Sequence, residues 1–302
     1  MPAARTLRAL DQPHLLLALT ALIWAGNAIA GRFADGHVSP MWLTALRWGI
    51  AVAIVGVVAR REIVRDLPVI RRHAPYLFAM GATGYTLFNY FLYSALTHTT
   101  AITVAIWQSA MPLFIFVMGY VAFRTPTRWG QVAGFALTAA GVATVASKGD
   151  LAALASGDVG ANWGDVLMVG AVVSYAGYSV ALKAKPAMGA LSFLFCMMAA
   201  ALVVAVGGLA LEAWRGAARF PADAQGWAVV VYAGLFPSIV AQAFFIRGVE
   251  GLGANAAGLF INLVPVLTAV LAIALLGEAL HQFHLVAFAL VVGGVLLAGR
   301  GG

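Results

Sequence analysis

One charge sits where charge is expensive. Arg47 is the only Lys, Arg, Asp or Glu well inside an apolar run of this chain. A guanidinium there must meet an anion or find carbonyl, amide or hydroxyl partners. Amides and rings fall at comparable depth: Tyr85, Asn89, Tyr90 and Tyr93 in one apolar stretch, and Trp107, Gln108 and Ser109 in the next. Trp24 and Asn27 lie near the start, and Ser174, Tyr175, Tyr178, Ser238, Gln242, Phe260, Ile261 and Asn262 lie in the second half. Rings offer broad apolar faces and amides both donate and accept, so this set suits a zwitterion with an apolar or aromatic side chain. The same residues have plainer uses. Tyr and Trp anchor span ends, midspan Asn and Gln bridge helices, and Arg47 reads better as a clamp between helices than as a carboxylate receptor.

Other chemistry finds little support. Cys196 is the lone cysteine, so neither an intrachain disulfide nor a cysteine-rich metal site can form, and no metal or cofactor is expected. An intramembrane enzyme would need a nucleophile, acid–base or metal-ligand cluster within a span. His281 with His284, at the edge of the last apolar run, is the one pair of that kind.

The elements that must position these residues are set by composition. With 63% hydrophobic and 10% charged side chains over 302 residues, the chain has too much apolar surface for one water-soluble core. It cuts into ten apolar pieces, at about 13–33, 40–60, 74–96, 101–123, 129–147, 163–184, 188–211, 226–248, 254–277 and 282–299. Each approaches the ~20 residues that cross a bilayer. The net charge of +7 marks topology rather than nucleic-acid binding, because basic residues cluster between the apolar runs. One set of loops carries thirteen of them, including Arg60, Arg61, Arg65, Arg71, Arg72, Lys183 and Lys185. The alternate set carries only Arg32, Lys148, Arg215 and Arg219. Both termini are therefore expected in the cytoplasm, in a bacterial-type inner membrane. Arg5, Arg8 and the following apolar run also fit a cleaved signal peptide, a reading opposed by the repeat that follows.

Shifting the chain by 153 positions lays 89–147 on 242–300 without a gap. Phe91 meets Phe244, Pro112 meets Pro265, Phe135-Ala136-Leu137 meets Phe288-Ala289-Leu290, and Gly141-Val142 meets Gly294-Val295. A shift of 151 puts Trp24-Ala25-Gly26 on Tyr175-Ala176-Gly177, so both halves start with the same kind of helix. The fold expected is an all-α integral membrane protein of ten transmembrane helices in two inverted five-helix repeats, 1–148 and 149–302. Five is odd, so the halves enter from opposite sides, the usual basis of alternating access. Pro112 and Pro265 are candidate hinges, and Gly134, Gly141, Gly293 and Gly294 are candidates for close helix packing.

With Trp24-Ala25-Gly26-Asn27, Arg47-Trp48, Tyr93-Ser94-Ala95-Leu96, Pro112, and Pro265 followed by Leu276-Gly277-Glu278, the chain resembles the EamA-type exporters of the drug/metabolite transporter superfamily. Arg124-Thr125 stands where the family pattern has Gly-Glu, so a role for Glu278 need not be duplicated. The aromatic inventory is most similar to the aromatic amino-acid exporters. The resemblance implies export of small amphipathic metabolites, aromatic or other hydrophobic amino acids leading, with the lipid bilayer as the other partner. The oligomeric state is not written in lipid-facing surfaces. All eleven carboxylates fall in loops or at span ends, which favours a facilitator. Proton-coupled export is the alternative, using a residue near the mouth such as His14, Glu278, His281 or His284.

Overall fold

A computed structural model describes residues 12–124, 129–150, 152, 162–253, 257 and 260–300, and among them it is helical without strands. In chain order the helices are α1 (Pro13–Phe33), α2 (Pro40–Val58), α3 (Arg60–Arg72), α4 (residues 74–96) and α5 (Ala101–Phe123). There follow α6 (Trp129–Ala146), α7 (Trp163–Ala184), α8 (Ala190–Trp214), α9 (Ala224–Leu252), α10 (Leu263–Leu276) and α11 (Gln282–Arg300). Seven of them, α1, α2 and α5 to α9, are long and apolar enough to cross a membrane; Leu263–Leu276 and Gln282–Ala298 are shorter apolar helices. α4 is interrupted by a π turn at Ala82–Leu87, and α9 by another at Phe236–Val240.

Two features depart from the simplest reading of the sequence. The polar stretch after α2 is itself a helix, α3, strongly amphipathic and carrying Pro68 inside it. The prolines expected as midhelix hinges instead open new segments. α5 breaks at Ala110, whose N–H reaches the Trp107 carbonyl at 3.1 Å, and Pro112 lies in the first turn of the segment that follows. Pro265 is the third residue of α10, just after the turn at Asn262. In a first turn the missing N–H has no helical acceptor to lose. In the apolar helices a proline that does empty a carbonyl is Pro237, inside the π turn of α9.

The helix ends are tied across the chain. Glu212, buried at the end of α8, accepts the Met41 N–H at 3.1 Å and the Ser39 hydroxyl at 2.5 Å, capping α2. In the opposite sense, Glu62 on α3 accepts the N–H groups of Leu191 and Ser192 at 3.0 and 3.1 Å, capping α8, and Asp66 takes the Gly189 N–H at 2.7 Å. Glu278 follows Gly277, which ends α10 in the left-handed region at φ 66°; it accepts the N–H groups of Ala101 and Ile102 at 2.7 and 3.0 Å and so caps α5. Each carboxylate satisfies orphan donors at the positive end of a helix dipole.

α6 packs on α11 through glycine. A Cβ at Gly134 would strike the Gly294 carbonyl and Ala298, and one at Gly141 would strike Val291 and Ala287. At Gly293 a Cβ would meet only Leu137, at an ordinary 3.5 Å. Gly134, Gly141 and Gly294 therefore allow the close approach, and Gly293 does not limit it. The largest buried cluster joins both halves, with Ile29, Leu43, Tyr93, Ile102, Trp107, Met168, Val230 and Ala272 among its members.

Candidate functional site

Arg47, 3% exposed in the middle of α2, is the hub of a polar network drawn from four helices. Its Nη1 donates to Asn89 Oδ1 at 2.6 Å, to Asn27 Oδ1 at 3.3 Å and to the Tyr93 hydroxyl oxygen. Nε and Nη2 both donate to Ser238 Oγ, at 3.1 and 2.8 Å. The acceptors are held in turn. Tyr93 donates to Asn27 Oδ1 at 2.8 Å, Asn89 Nδ2 donates to the Tyr85 carbonyl at 2.7 Å, and Ser238 donates to the Ala233 carbonyl at 2.8 Å. That last bond follows from the sequence. Four residues after Ala233 stands Pro237, which has no N–H to give, so the next hydroxyl takes the vacant carbonyl. The Pro237 carbonyl accepts the Trp24 indole N–H at 3.3 Å. Among the described residues no carboxylate bonds the guanidinium; its partners are neutral oxygens, and its Cζ lies 4.5 Å from the Trp48 ring centroid.

Beside the hub runs an aromatic wall. Trp48 meets Tyr85 with ring centroids 5.0 Å apart, Tyr85 meets Tyr178 at 5.6 Å, Tyr178 meets Tyr175 at 5.8 Å, and Tyr175 meets Phe88 at 5.2 Å. Both wall and hub take residues from each half of the chain. Trp48, a hub neighbour and the first ring of the wall, is buried, and among the described residues its indole N–H has no hydrogen-bond partner. Trp48 is not among the binding residues expected from the sequence, where its adjacency to Arg47 is the signal that points to it.

The remaining expected residues are dispersed. Trp24 packs against Phe245, centroids 5.4 Å apart. Tyr90 turns toward Met41, Ala45 and Ala205, on the side of α8. Trp107, 5% exposed, donates its indole N–H to Asp165 Oδ1 at 2.7 Å, joining α5 to the first turn of α7. Gln108 and Gln242 are half-buried, and Asn262 lies on the surface at the turn before α10. An open groove of about 700 Å³ between α1, α9 and α10 is lined by Ile23, Gly26, Ile29, Tyr232 and Leu271 among others, and by none of the expected binding residues.

Comparison with known proteins puts this geometry in a family. The EamA-like transporter family matches residues 12–147 and, separately, 162–300. The chain is 23% identical to the uncharacterized transporter YyaM of Bacillus subtilis (strain 168), over 88% of this chain and 87% of that protein. It is 29% identical to a probable terminal-alkyne amino-acid exporter of Streptantibioticus cattleyicolor, over 94% of this chain and 92% of the relative. A protein of known crystal structure, 23% identical, shares the fold with a TM-score of 0.61 over 95% of this chain and 96% of its own. The chain belongs to the EamA-like transporter family and is a multi-pass membrane transporter, not an enzyme.

Proposed function

We propose that this transporter exports small amphipathic metabolites, with aromatic or other hydrophobic amino acids as the leading substrates, by alternating access between two inverted five-helix halves. The observation that carries the reading is the wall of Trp48, Tyr85, Tyr175, Tyr178 and Phe88 beside a guanidinium that, among the described residues, is bonded by neutral oxygens. Rings suit an apolar side chain, and Asn27, Asn89 and Ser238 surround a positive centre that attracts a carboxylate. Arg47 acts first as the clamp that joins α1, α2, α4 and α9, and Pro112 and Pro265 mark where α5 and α10 are segmented.

Four further facts support the halves and the substrate class. The family matches twice, once in each half. The π turns at Ala82–Leu87 and Phe236–Val240 overlap under the 153-residue shift. Basic residues crowd the loops assigned to the cytoplasm, as for an inner-membrane protein with both termini inside. One relative is itself a probable amino-acid exporter. A phosphorylated substrate would call for paired Lys or Arg at midplane, and Arg47 stands alone there.

Every carboxylate falls in a loop or at a span end, Asp165 included in the first turn of α7, which supports a facilitator. Proton coupling is the second reading, favoured by the burial of Asp165 against Trp107 between α5 and α7.

The test is uptake of radiolabelled amino acids by proteoliposomes. Saturable phenylalanine or leucine transport that drops severalfold in Tyr178→Ala is expected. Failure to carry any amino acid would overturn the substrate class.

A further inference from the structure

Among the described residues, Asp165 is the acidic side chain held between α5 of the first half and α7 of the second by a side-chain bond. It is 9% exposed, and the Trp107 indole N–H at 2.7 Å is its hydrogen-bond partner; among the described residues it forms no ion pair. Neighbouring polar groups are engaged elsewhere: Asn162 caps the Gly164 N–H at 3.0 Å, and Gly164 itself packs against Thr99. Trp107, its partner, is only 5% exposed, so the pair is shielded from solvent.

We propose that Asp165, with Trp107 as its sensor, is a proton-binding site that couples proton movement to the separation of α5 from α7. The step balances simply: the carboxylate takes one proton and becomes a carboxylic acid, and no other bond is made or broken covalently. While α5 and α7 are together, the indole N–H stabilises the carboxylate. When α5 draws away, that donor is lost and the carboxylate forfeits its one side-chain hydrogen bond, which the neutral acid needs less. Protonation and helix separation are thus linked, so each proton taken up on one side biases the exchange of states.

The charged and titratable groups on the elements around this site are few. Lys148, in the turn after α6, attracts the carboxylate through space. Exposed His98 lies in the loop after α4, and Glu278 is spent on the α5 N-terminus. His281 and His284 lie at the start of α11 and bond each other, His281 N–H to His284 Nδ1 at 3.1 Å. Tyr120 lies on α5 far from its N-terminus, and Tyr93 on α4 is committed to Arg47 and Asn27. Among the described residues none of these forms a salt bridge with Asp165.

The proposal rests on the transport reading for its consequence but not for its first test. Infrared difference spectra of the purified protein between neutral and acid pH should contain a carboxylic-acid band that is absent in Asp165→Asn and shifted in Trp107→Phe. A spectrum unchanged by Asp165→Asn would overturn the proton site whatever the substrate is. In proteoliposomes with the potential clamped, a pH gradient should drive phenylalanine accumulation by about tenfold per pH unit at one proton per substrate. Asp165→Asn should lose that drive while retaining phenylalanine exchange at equal pH, which also shows that the variant is folded. Gradient-driven accumulation that survives in Asp165→Asn, or is missing from the wild type that exchanges phenylalanine, would overturn the coupling. No phenylalanine exchange by the wild type would count against the substrate class alone, leaving the infrared result to decide the proton site.

Discussion

Arg47 and Asp165 are both buried ionisable side chains bonded across the two halves, and they are satisfied very differently. Arg47 has four partners on three other helices, each of which has a further tie or shares the network. Asp165 has one indole. A buried charge with many fixed dipoles around it is a structural joint, because its cost has been met by groups that cannot leave singly. A buried charge with one removable partner is poised to change state. The same low-dielectric interior therefore produces a clamp at one place and a switch at the other, and the number of partners decides which.

The largest expected break of this contrast is Arg47→Ala. It strands Asn27, Asn89, Tyr93 and Ser238 in the membrane interior, and should destabilise the protein by about 3 kcal/mol or more, read as loss of a monodisperse species and of a cooperative thermal transition. Glu212→Gln tests the ties at helix ends. It keeps the shape but weakens two charge-assisted bonds to the start of α2, at a cost of about 1–2 kcal/mol in thermal unfolding. Asp165→Asn should cost under about 1 kcal/mol, since an amide oxygen still accepts from Trp107. An Asp165→Asn loss as large as that of Arg47→Ala would erase the distinction.

The smallest effect is a pH dependence outside the membrane spans. The Arg65 guanidinium bonded to Asp66, aided by the Gly189 N–H, holds the Asp66 carboxyl well below the usual carboxylate range. A lowered folded-state value means that this contribution to stability is present above the unfolded value of about 4 and is lost as pH falls through the folded one. The melting temperature should therefore decline on acidification below that point, and Asp66→Asn should decline less.

Hydropathy made the seven helices that are long and apolar enough to cross a membrane legible, since each is a long apolar run between turn residues or basic clusters, and it marked the shorter apolar helices Leu263–Leu276 and Gln282–Ala298 as well. Gly134, Gly141 and Gly294 were legible as packing residues because small side chains recur at equivalent positions, and Arg47 stood out as a residue that must find polar partners because no other charged residue lies so deep in an apolar run. Depth is not direction, however. Tyr90 and Tyr93 lie one turn apart on α4, yet the first packs beside Met41 and the second bonds Arg47. Neither hydropathy nor propensity separates them. α3 escaped notice because it is polar and contains Pro68. The ties from Glu62, Glu212 and Glu278 join residues 129, 171 and 177 positions apart, and no local pattern announces a partner at that distance. At Thr125, which the 153-residue shift matches to Glu278, the sequence does predict a difference: an uncharged side chain cannot supply the same carboxylate cap. That position lies outside the described residues.

The most direct measurement is phenylalanine exchange at equal pH by reconstituted Arg47→Gln and Asp165→Asn, each scored beside the wild type for monodispersity in detergent. Asp165→Asn should remain monodisperse and exchange at close to the wild-type rate, while Arg47→Gln should lose both properties together. A folded, exchanging Arg47→Gln, or an Asp165→Asn that cannot fold, would contradict the assignment of the joint to one residue and the switch to the other.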